Sequence, residues 1–185
     1  MKKYTLGLVV GRFQPLHKGH AEILKKAAEE CAWVIVGIGS AQEYNTKRNP
    51  FDYYFREHLI ETFWKSEDLH AMLICMPLVD LGVGDSPIWG KYLMNMCLYY
   101  SHSMHSLPEV YYTGSEQDRN NWLKDYPDIK VEVVNRQDIP ISSTIIREKV
   151  LNNDPTWINL MPYMMGLNSE KARIEQTIKE AYKND

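Results

Sequence analysis

One stretch near the start of the chain, residues 11–20, constrains the fold more than any other. The residues before it, 4–10, are a short apolar run with β-branched side chains, which predicts a buried strand. The residues after it repeat apolar side chains at the spacing of one helical stripe: Ile23, Leu24, Ala27, Ala28 and Cys31. The stretch is therefore predicted to be a strand-to-helix turn, in which Gly11 lets the backbone bend sharply and approach a ligand.

The chemistry of this turn favours phosphate binding. Strand-to-helix turns lie at the carboxyl edge of a parallel sheet, where open α/β folds bind ligands. The helix that follows directs its free N–H groups and the positive end of its dipole at that edge. Arg12, His17, Lys18 and His20 add cationic and hydrogen-bonding side chains at the same place. A phosphate-bearing ligand is the predicted occupant.

Length and composition narrow the class of protein. At 185 residues the chain can form one domain over 1–185, with a core at about 3–152 and a C-terminal helical segment at about 153–185. The net charge of −3 argues against a general nucleic-acid binder. No apolar segment approaches the length of a membrane span, so no membrane partner is expected. Three cysteines without CxxC spacing predict reduced thiols in the cytoplasm rather than a zinc site or a disulfide framework.

The remaining pattern predicts a Rossmann-like α/β fold, an open parallel sheet of about five strands with helices on both faces. Strand–helix–strand successions of this length imply right-handed crossovers between parallel strands. Besides the first strand, strands are predicted at 33–38, 72–76, 109–113 and 130–134, with a short helix between the last two. Later helices are predicted at about 53–64 (capped by Asp52), 89–100, 143–152 and 169–183.

Two motifs carry a resemblance to a known family. The sequence GRFQPLHKGH at 11–20 resembles the GRFQPxHxGH form of the HxGH nucleotidyltransferases, and specifically the archaeal-type nicotinamide-mononucleotide adenylyltransferases. The sequence ISSTIIR at 141–147 resembles the ISSTxIR motif of the same superfamily. Between them, IGSAQE at 38–43 and NPF at 49–51 resemble two segments of that subgroup. The resemblance spans about residues 4–162 and implies the nucleotidyltransferase type of α/β fold.

The resemblance implies adenylyl transfer from ATP to nicotinamide mononucleotide, which gives NAD and pyrophosphate, with Mg²⁺ accompanying the triphosphate. A related alternative keeps this chemistry and uses nicotinic acid mononucleotide or another phosphate-bearing acceptor. An alternative from a different class is a nucleotide-sensing regulatory module that binds NAD or ATP without turnover. The segment 92–104, rich in Met and Tyr, is compatible with a homo-oligomer interface or with core.

The residues implied for the triphosphate come from both motifs. The catalytic set is His17, His20, Arg12 and Arg147, with His20 nearest the α-phosphate and Arg147 at the β- and γ-phosphates. A structural role for one histidine, and a solvated surface position for either arginine, stay open. The implied ATP-binding residues are Gly11, Phe13, Lys18, Gly19, Tyr112, Thr113, Gly114, Ile141, Ser142, Ser143 and Thr144. Lys18 can instead be a solvated lysine, and Ser142 can also be a simple N-cap.

The residues implied for the mononucleotide are Ser40, Gln42, Asn49, Phe51, Arg56, Asp80, Asp85 and Trp89. Trp89 stacks on the nicotinamide ring or anchors the core. Asp80 or Asp85 accepts from the carboxamide or ribose, or is a loop carboxylate. The family follows NPF with Thr-Ala-Gly-Glu-Arg, whereas residues 52–56 read Asp-Tyr-Tyr-Phe-Arg. Arg56 reaches the mononucleotide phosphate or pairs with a carboxylate on its helix, and no protein ligand set for a metal is predicted.

Overall fold

Five parallel strands form the central sheet of the computed structural model, in the order β3-β2-β1-β4-β5. They are β1 (Tyr4–Gly11), β2 (Cys31–Ile38), β3 (Met72–Pro77), β4 (Val110–Thr113) and β5 (Lys130–Val133). This strand order is that of a doubly wound sheet, in which the chain reverses direction beside β1 and opens a crevice there. The predicted fold class is confirmed. The structure describes residues 2–84, 86–101, 104–114, 122–134, 141–162 and 168–183.

Within the described residues, five α-helices connect and flank the strands. They are α1 (Lys18–Glu30), α2 (Tyr53–Ser66), α3 (Pro87–Tyr100), α4 (Ser143–Leu151) and α5 (Asn168–Lys183), and a 3₁₀ helix covers Pro155–Leu160. A short helix was predicted between the last two strands, and residues 115–121 of that interval lie outside the described residues. No helix in the described ranges has the length and apolar character needed to cross a membrane.

Two details differ from the sequence prediction. Cys31 belongs to β2 and pairs with Tyr4, because the backbone is already extended there (φ −106°, ψ 149°). The 3₁₀ helix was not predicted. It begins at Pro155, after Asp154 caps it by accepting a hydrogen bond from the Thr156 N–H at 2.9 Å.

Side chains at the helix starts explain why three helices begin where they do. Asp52 Oδ1 accepts from the Phe55 N–H at 2.7 Å, which confirms the predicted cap of α2. Ser142 Oγ accepts from the Ile145 N–H at 3.3 Å and caps α4. His17 caps α1, since its Nδ1 accepts from the His20 N–H at 3.3 Å. Each cap lies near the carboxyl edge of the sheet, so the N-termini of these helices are held close to the crevice.

The sheet separates two apolar cores, because side chains along each strand alternate between its faces. Leu6 and Leu8 of β1 point into the core that α3 covers. Val9 points into the opposite core, which contains residues of α1, α2, α4 and α5. The central strand is therefore packed on both faces, which fixes the position of the turn that follows it.

Candidate active site

The turn after β1 takes its shape from Phe13 and Gly11. Phe13 is buried and has a left-handed backbone (φ 51°), which an L-residue adopts only at a cost. A Cβ at Gly11 would lie 3.1 Å from the Phe13 ring. Glycine is therefore needed for the space that this ring occupies, rather than for a left-handed bend of its own. Phe13 packs in the core beneath the turn, so its side chain shapes the site from behind.

His17 and His20 lie against each other at the start of α1. Their rings stack with centroids 3.7 Å apart, and His17 is 3% exposed. Because Nδ1 of His17 accepts the His20 N–H, the proton of a neutral His17 ring is assigned to Nε2. Lys18 is exposed beside them in the first turn of α1, and Gly19 is buried there. The pair thus presents hydrogen-bonding imidazole edges at a helix N-terminus.

The start of α4 docks onto the turn after β1. Arg147 is 6% exposed, and its Nη1 donates to the carbonyl oxygen of Gln14 at 2.8 Å. Ser143 Oγ donates to the carbonyl oxygen of Pro15 at 3.1 Å. The exposed Thr144 accepts from Arg147 Nη2 at 3.2 Å. The second motif is therefore in direct contact with the first, as the two-motif prediction requires.

Three arginines from separate segments lie near one another. Partial burial lowers the pKa of the Arg12 guanidinium, and the positive charges of Arg48 and Arg147 lower that pKa further. The carboxylates of Asp80 and Glu43 act on the same pKa in the opposite direction and offset part of this repulsion. An anion bound between the arginines would relieve more of it. Arg48 was not predicted as a site residue, because it stands outside both motifs in a loop rich in polar residues.

A cavity of about 600 Å³ opens at the carboxyl ends of β1, β2 and β4. The cavity is lined by residues that were predicted for the site and by Arg48, which was not. The predicted residues are Gly11, Arg12, Ser40, Asp80, Trp89 and Thr113. The two histidines and Arg147 are not among its lining residues. They contact the same turn from the side of α1 and α4. The predicted residues thus form two adjoining groups that meet at Arg12.

A hydrogen-bonded network joins the loop between β2 and α2 (residues 39–52, hereafter the acceptor loop) to the end of β3. Ser40 Oγ donates to Asp80 Oδ2 at 2.6 Å. The side chain of Gln42 accepts from the Asp80 N–H at 3.1 Å and donates to its carbonyl oxygen at 3.5 Å. Ser40 has a left-handed backbone (φ 50°), which turns the loop out of β2. One carboxylate at the cavity wall is thereby fixed in place.

Trp89 lies in the first turn of α3, at the cavity wall. Its ring meets the Trp122 ring edge-on with centroids 5.2 Å apart, and Trp122 meets Tyr111 at 5.0 Å. Gly90 permits this arrangement, because a Cβ there would overlap the carbonyl oxygen of Trp122. The half-buried Trp89 is thus both packed against the core and accessible from the cavity. Asp85, also predicted for this part of the site, lies outside the described residues.

Four predicted side chains point elsewhere. Arg56 is fully buried, and its four described hydrogen bonds all go to main-chain carbonyl oxygens, not to a carboxylate. Asn49 is buried within its own loop and donates to Glu43 Oε2 at 2.5 Å. The Phe51 ring packs 5.4 Å from the Phe55 ring. Tyr112 is buried with its hydroxyl donating to Glu30 Oε2 at 2.7 Å, at the far end of α1.

Other predicted residues contribute backbone or packing. Gly114 is half-buried just after β4, and the Thr113 carbonyl oxygen accepts from the Val134 N–H at 2.8 Å. Ile141 packs against the core beneath α4. Gln14, which was not predicted as a site residue, is 1% exposed and exchanges two 2.9 Å hydrogen bonds with the main chain of Phe51. Its place in the first motif was the signal for a role, and the structure identifies that role as a tie between the turn and the acceptor loop.

Known proteins resemble this chain over most of its length. A model of the family described as cytidylyltransferase-like matches residues 8–149. The nicotinamide-nucleotide adenylyltransferase of Thermococcus kodakarensis is 32% identical over 157 residues, which are 84% of this chain and 77% of the relative. That of Methanococcus maripaludis strain C5 is 34% identical over 158 residues, which are 83% of this chain and 82% of the relative.

Solved structures share the fold. A bifunctional NMN adenylyltransferase/ADP ribose pyrophosphatase from Francisella tularensis, complexed with AMP and a manganese ion, superimposes with a TM-score of 0.74 at 20% identity. The match covers 98% of this chain and 51% of the other, so this chain spans about half the length of that neighbour. At this identity the likeness establishes the fold alone.

Proposed function

Because the chain belongs to the cytidylyltransferase-like family, we propose that it acts as a nicotinamide-nucleotide adenylyltransferase. In this reaction the adenylyl group of ATP passes to the 5′-phosphate of nicotinamide mononucleotide, and NAD and pyrophosphate are formed. Relatives of that name, aligned over 84% and 83% of the chain, support this choice of acceptor.

One observation carries the proposal: the two signature segments meet around a cluster of cations. Arg147 binds the Gln14 carbonyl oxygen, and the charges of Arg48 and Arg147 both act on Arg12. Guanidinium groups gathered from three distant segments repel one another, and the nearby carboxylates of Asp80 and Glu43 offset part of that repulsion. A bound anion would further stabilise the clustered guanidinium groups. Their fork of N–H donors matches phosphate oxygens. A triphosphate meets both requirements.

The chemistry assigned to the site is direct in-line transfer. An oxygen of the mononucleotide phosphate attacks the α-phosphorus of ATP and forms a new P–O bond. The bond from the α-phosphorus to the bridging oxygen of the β-phosphate breaks, and its electron pair leaves with pyrophosphate. The attacking phosphate is already an anion at neutral pH, so no general base is required.

Residues of both motifs stabilise the charge that develops in this step. His17 and His20 donate to phosphate oxygens, with His20 nearest the α-phosphate, and Arg12 and Arg147 neutralise the triphosphate. One such fixed donor typically contributes about 3–4 kcal/mol to lowering the barrier. Alignment of the two reactants contributes about 7–11 kcal/mol.

The acceptor occupies the cavity at the ends of β1, β2 and β4. Trp89 stacks on the pyridine ring, a contact worth about 0.5–2 kcal/mol for a cationic ring. Ser40, Gln42 and Asp80 supply the polar wall beside it, as their hydrogen-bonded network supports. Asn49 and Phe51 hold the acceptor loop in place from within.

Mg²⁺ accompanies the triphosphate in this proposal, bound by phosphate oxygens and water, and it neutralises part of their charge. Across the described residues no group of three or more His, Cys, Asp and Glu side chains could hold a metal ion. The Francisella structure, which contains AMP and a manganese ion, supports the pairing of nucleotide and divalent cation.

An assay of pyrophosphate release tests the proposal. The purified chain is incubated with ATP, Mg²⁺ and either nicotinamide mononucleotide, nicotinic acid mononucleotide or a control mononucleotide such as UMP. We expect pyrophosphate and NAD in equal amounts with nicotinamide mononucleotide. Product formed only with another acceptor would keep the chemistry and overturn the acceptor. Binding of ATP without any product would instead identify a nucleotide-sensing module.

A further inference from the structure

Arg56 is a fully buried cation that binds only main-chain oxygens in its described contacts. It is 0% exposed, although arginine is almost never fully buried without a charged partner. Its Nη1 donates to the carbonyl oxygens of Arg12 at 2.9 Å and Gly39 at 2.6 Å. Its Nη2 donates to that of Ser40 at 3.2 Å, and its Nε to that of Asp52 at 3.1 Å. Four of the five N–H groups of a guanidinium are thus engaged.

These carbonyl groups belong to the two halves of the site. Arg12 lies in the turn that follows β1, next to the histidine pair and Arg147. Gly39 and Ser40 begin the loop that follows β2, and the Ser40 side chain fixes Asp80. A single Nη1 atom therefore bridges the triphosphate half and the acceptor half. The contact of Nε with Asp52 anchors the same guanidinium at the start of its own helix, α2.

The guanidinium is charged under working conditions. Burial lowers the pKa of Arg56 to about 10, which leaves it protonated at neutral pH. Carbonyl dipoles satisfy its donors but do not cancel its charge, as a carboxylate in contact would. A positive charge therefore stays beneath the turn that carries Arg12.

We infer that Arg56 is a positioning residue. It fixes the distance between the turn after β1 and the acceptor loop without touching either substrate. The inference rests on the proposed function, because it concerns how two reactants are aligned. It replaces the sequence-based expectation that Arg56 contacts the mononucleotide phosphate. A direct contact would need an exposed N–H group, and the side chain has no exposed surface.

A variant that loses alignment of the substrates and a variant that loses a binding contact are expected to differ in their kinetics. Each half of the site keeps its own contacts when the bridge is weakened, so each substrate still binds. A displacement of one half by about 1 Å costs up to about a hundredfold in rate, because the reacting atoms no longer meet in line. A lost phosphate ligand would instead raise the Michaelis constant of the mononucleotide.

The test compares Arg56→Lys and Arg56→Gln with the wild-type chain. Lysine keeps the charge and loses the fork that bridges two carbonyl oxygens. Initial rates of pyrophosphate release are measured at 20 °C while ATP and nicotinamide mononucleotide are varied in turn, and thermal melts confirm that each variant is folded. We expect kcat of Arg56→Lys to fall about tenfold to a hundredfold, both Michaelis constants to stay within about threefold, and Arg56→Gln to lose more.

Arg173→Lys is the matched control. Arg173 is exposed, and its guanidinium carbon lies 4.1 Å from the ring of Phe55, the residue before Arg56. This variant removes a neighbouring guanidinium that does not bridge the two halves, so kcat is expected to stay within about twofold of wild type.

Several outcomes would overturn the inference. An unchanged kcat in Arg56→Lys would do so, as would a raised mononucleotide Michaelis constant at unchanged kcat, which would identify a direct ligand. Both variants unfolded at 20 °C would assign Arg56 to the core alone. A wild-type chain that releases no pyrophosphate overturns the proposed function and this inference with it, whereas an active wild type with an equally active Arg56→Lys overturns this inference only.

Discussion

At the scale of single residues, the direction of a side chain decides its role more than its place in a motif does. Arg56 and Arg147 each lie one turn into a helix, four and five residues after the capping residues Asp52 and Ser142. Arg147 reaches the first motif, and its buried Nε has no hydrogen-bond partner among the described residues. The guanidinium of Arg56 instead donates to the carbonyl oxygens of Arg12 and Gly39, at the ends of β1 and β2. A sequence predicts both charges and both helices, but packing sets where each guanidinium points.

His20→Ala tests the catalytic assignment at this scale. We expect kcat to fall by about a hundredfold or more with a modest change in the ATP Michaelis constant, since the lost N–H group acts mainly on charge that develops in the transition state. Pyrophosphate release with saturating substrates measures it. His70→Ala, at a side chain 80% exposed beside Asp68, is the control. Equal turnover in the two variants would exclude His20 from the reaction.

At the scale of elements, apolar periodicity predicted the five strands and five α-helices of the described residues within a few positions. The pattern is clear because the middle of β1, most of β2 and all of β4 are buried, and each predicted helix has one apolar side. β3 and β5 are partly exposed. The junction at Cys31 was misplaced, since a buried residue fits both the stripe of α1 and the first position of β2. The contact of Gly90 with Trp122 could not be predicted from the sequence, because it joins segments that are far apart in the chain.

Gly90→Ala tests the fit of α3 against Trp122. The added methyl group overlaps a main-chain oxygen, which cannot rotate away as a side chain would. We expect a loss of about 1–3 kcal/mol in the free energy of unfolding, or a fall of about 2–4 °C in melting temperature for each kcal/mol.

Ser86→Ala is the control on the same helix. The buried Oγ of Ser86 has no hydrogen-bond partner within the described part of the chain, so its removal is expected to change stability by less than about 0.5 kcal/mol. Denaturant unfolding of both variants measures the difference. A Gly90→Ala variant as stable as Ser86→Ala would contradict the close approach of α3 and Trp122.

At the scale of the whole molecule, the two cores bury Cys31 and Cys97, and Cys75 is half-buried on β3. Burial raises the pKa of Cys75 to about 12 and that of Cys97 to about 12, and it also raises the pKa of Cys31. The reactive form of cysteine is the thiolate. A native chain is therefore expected to present almost no thiolate at pH 8.

Alkylation with iodoacetamide at pH 8 measures this burial. We expect slow labelling of the native chain and labelling of three cysteines per chain in denaturant. Ser66→Cys, at the exposed end of α2, adds a thiol that should react quickly in the folded state. Rapid labelling of a wild-type thiol in the native chain would contradict the closed packing of the cores.

The fold and the location of the site could be predicted from sequence, whereas its internal geometry could not. The two motifs identified the edge at which Arg12, His17, His20 and Arg147 gather, because parallel strands bring their carboxyl ends to one side. The left-handed backbone of Phe13, the tie between Gln14 and Phe51, and the contribution of Arg48 depend on tertiary neighbours. Local patterns carry no information about such neighbours.

The strand order has a consequence for how such an enzyme can change its substrate. The turn that carries the first motif follows β1, the central strand of the sheet. Asp80 and Trp89 follow β3, which is an edge strand. A new segment grafted between β3 and α3 would remodel the pocket for the acceptor without cutting any strand that supports the triphosphate. On the proposed assignment of the site, the residues around ATP can stay constant while acceptors are exchanged, which makes the loop at 78–86 the place to begin redesign.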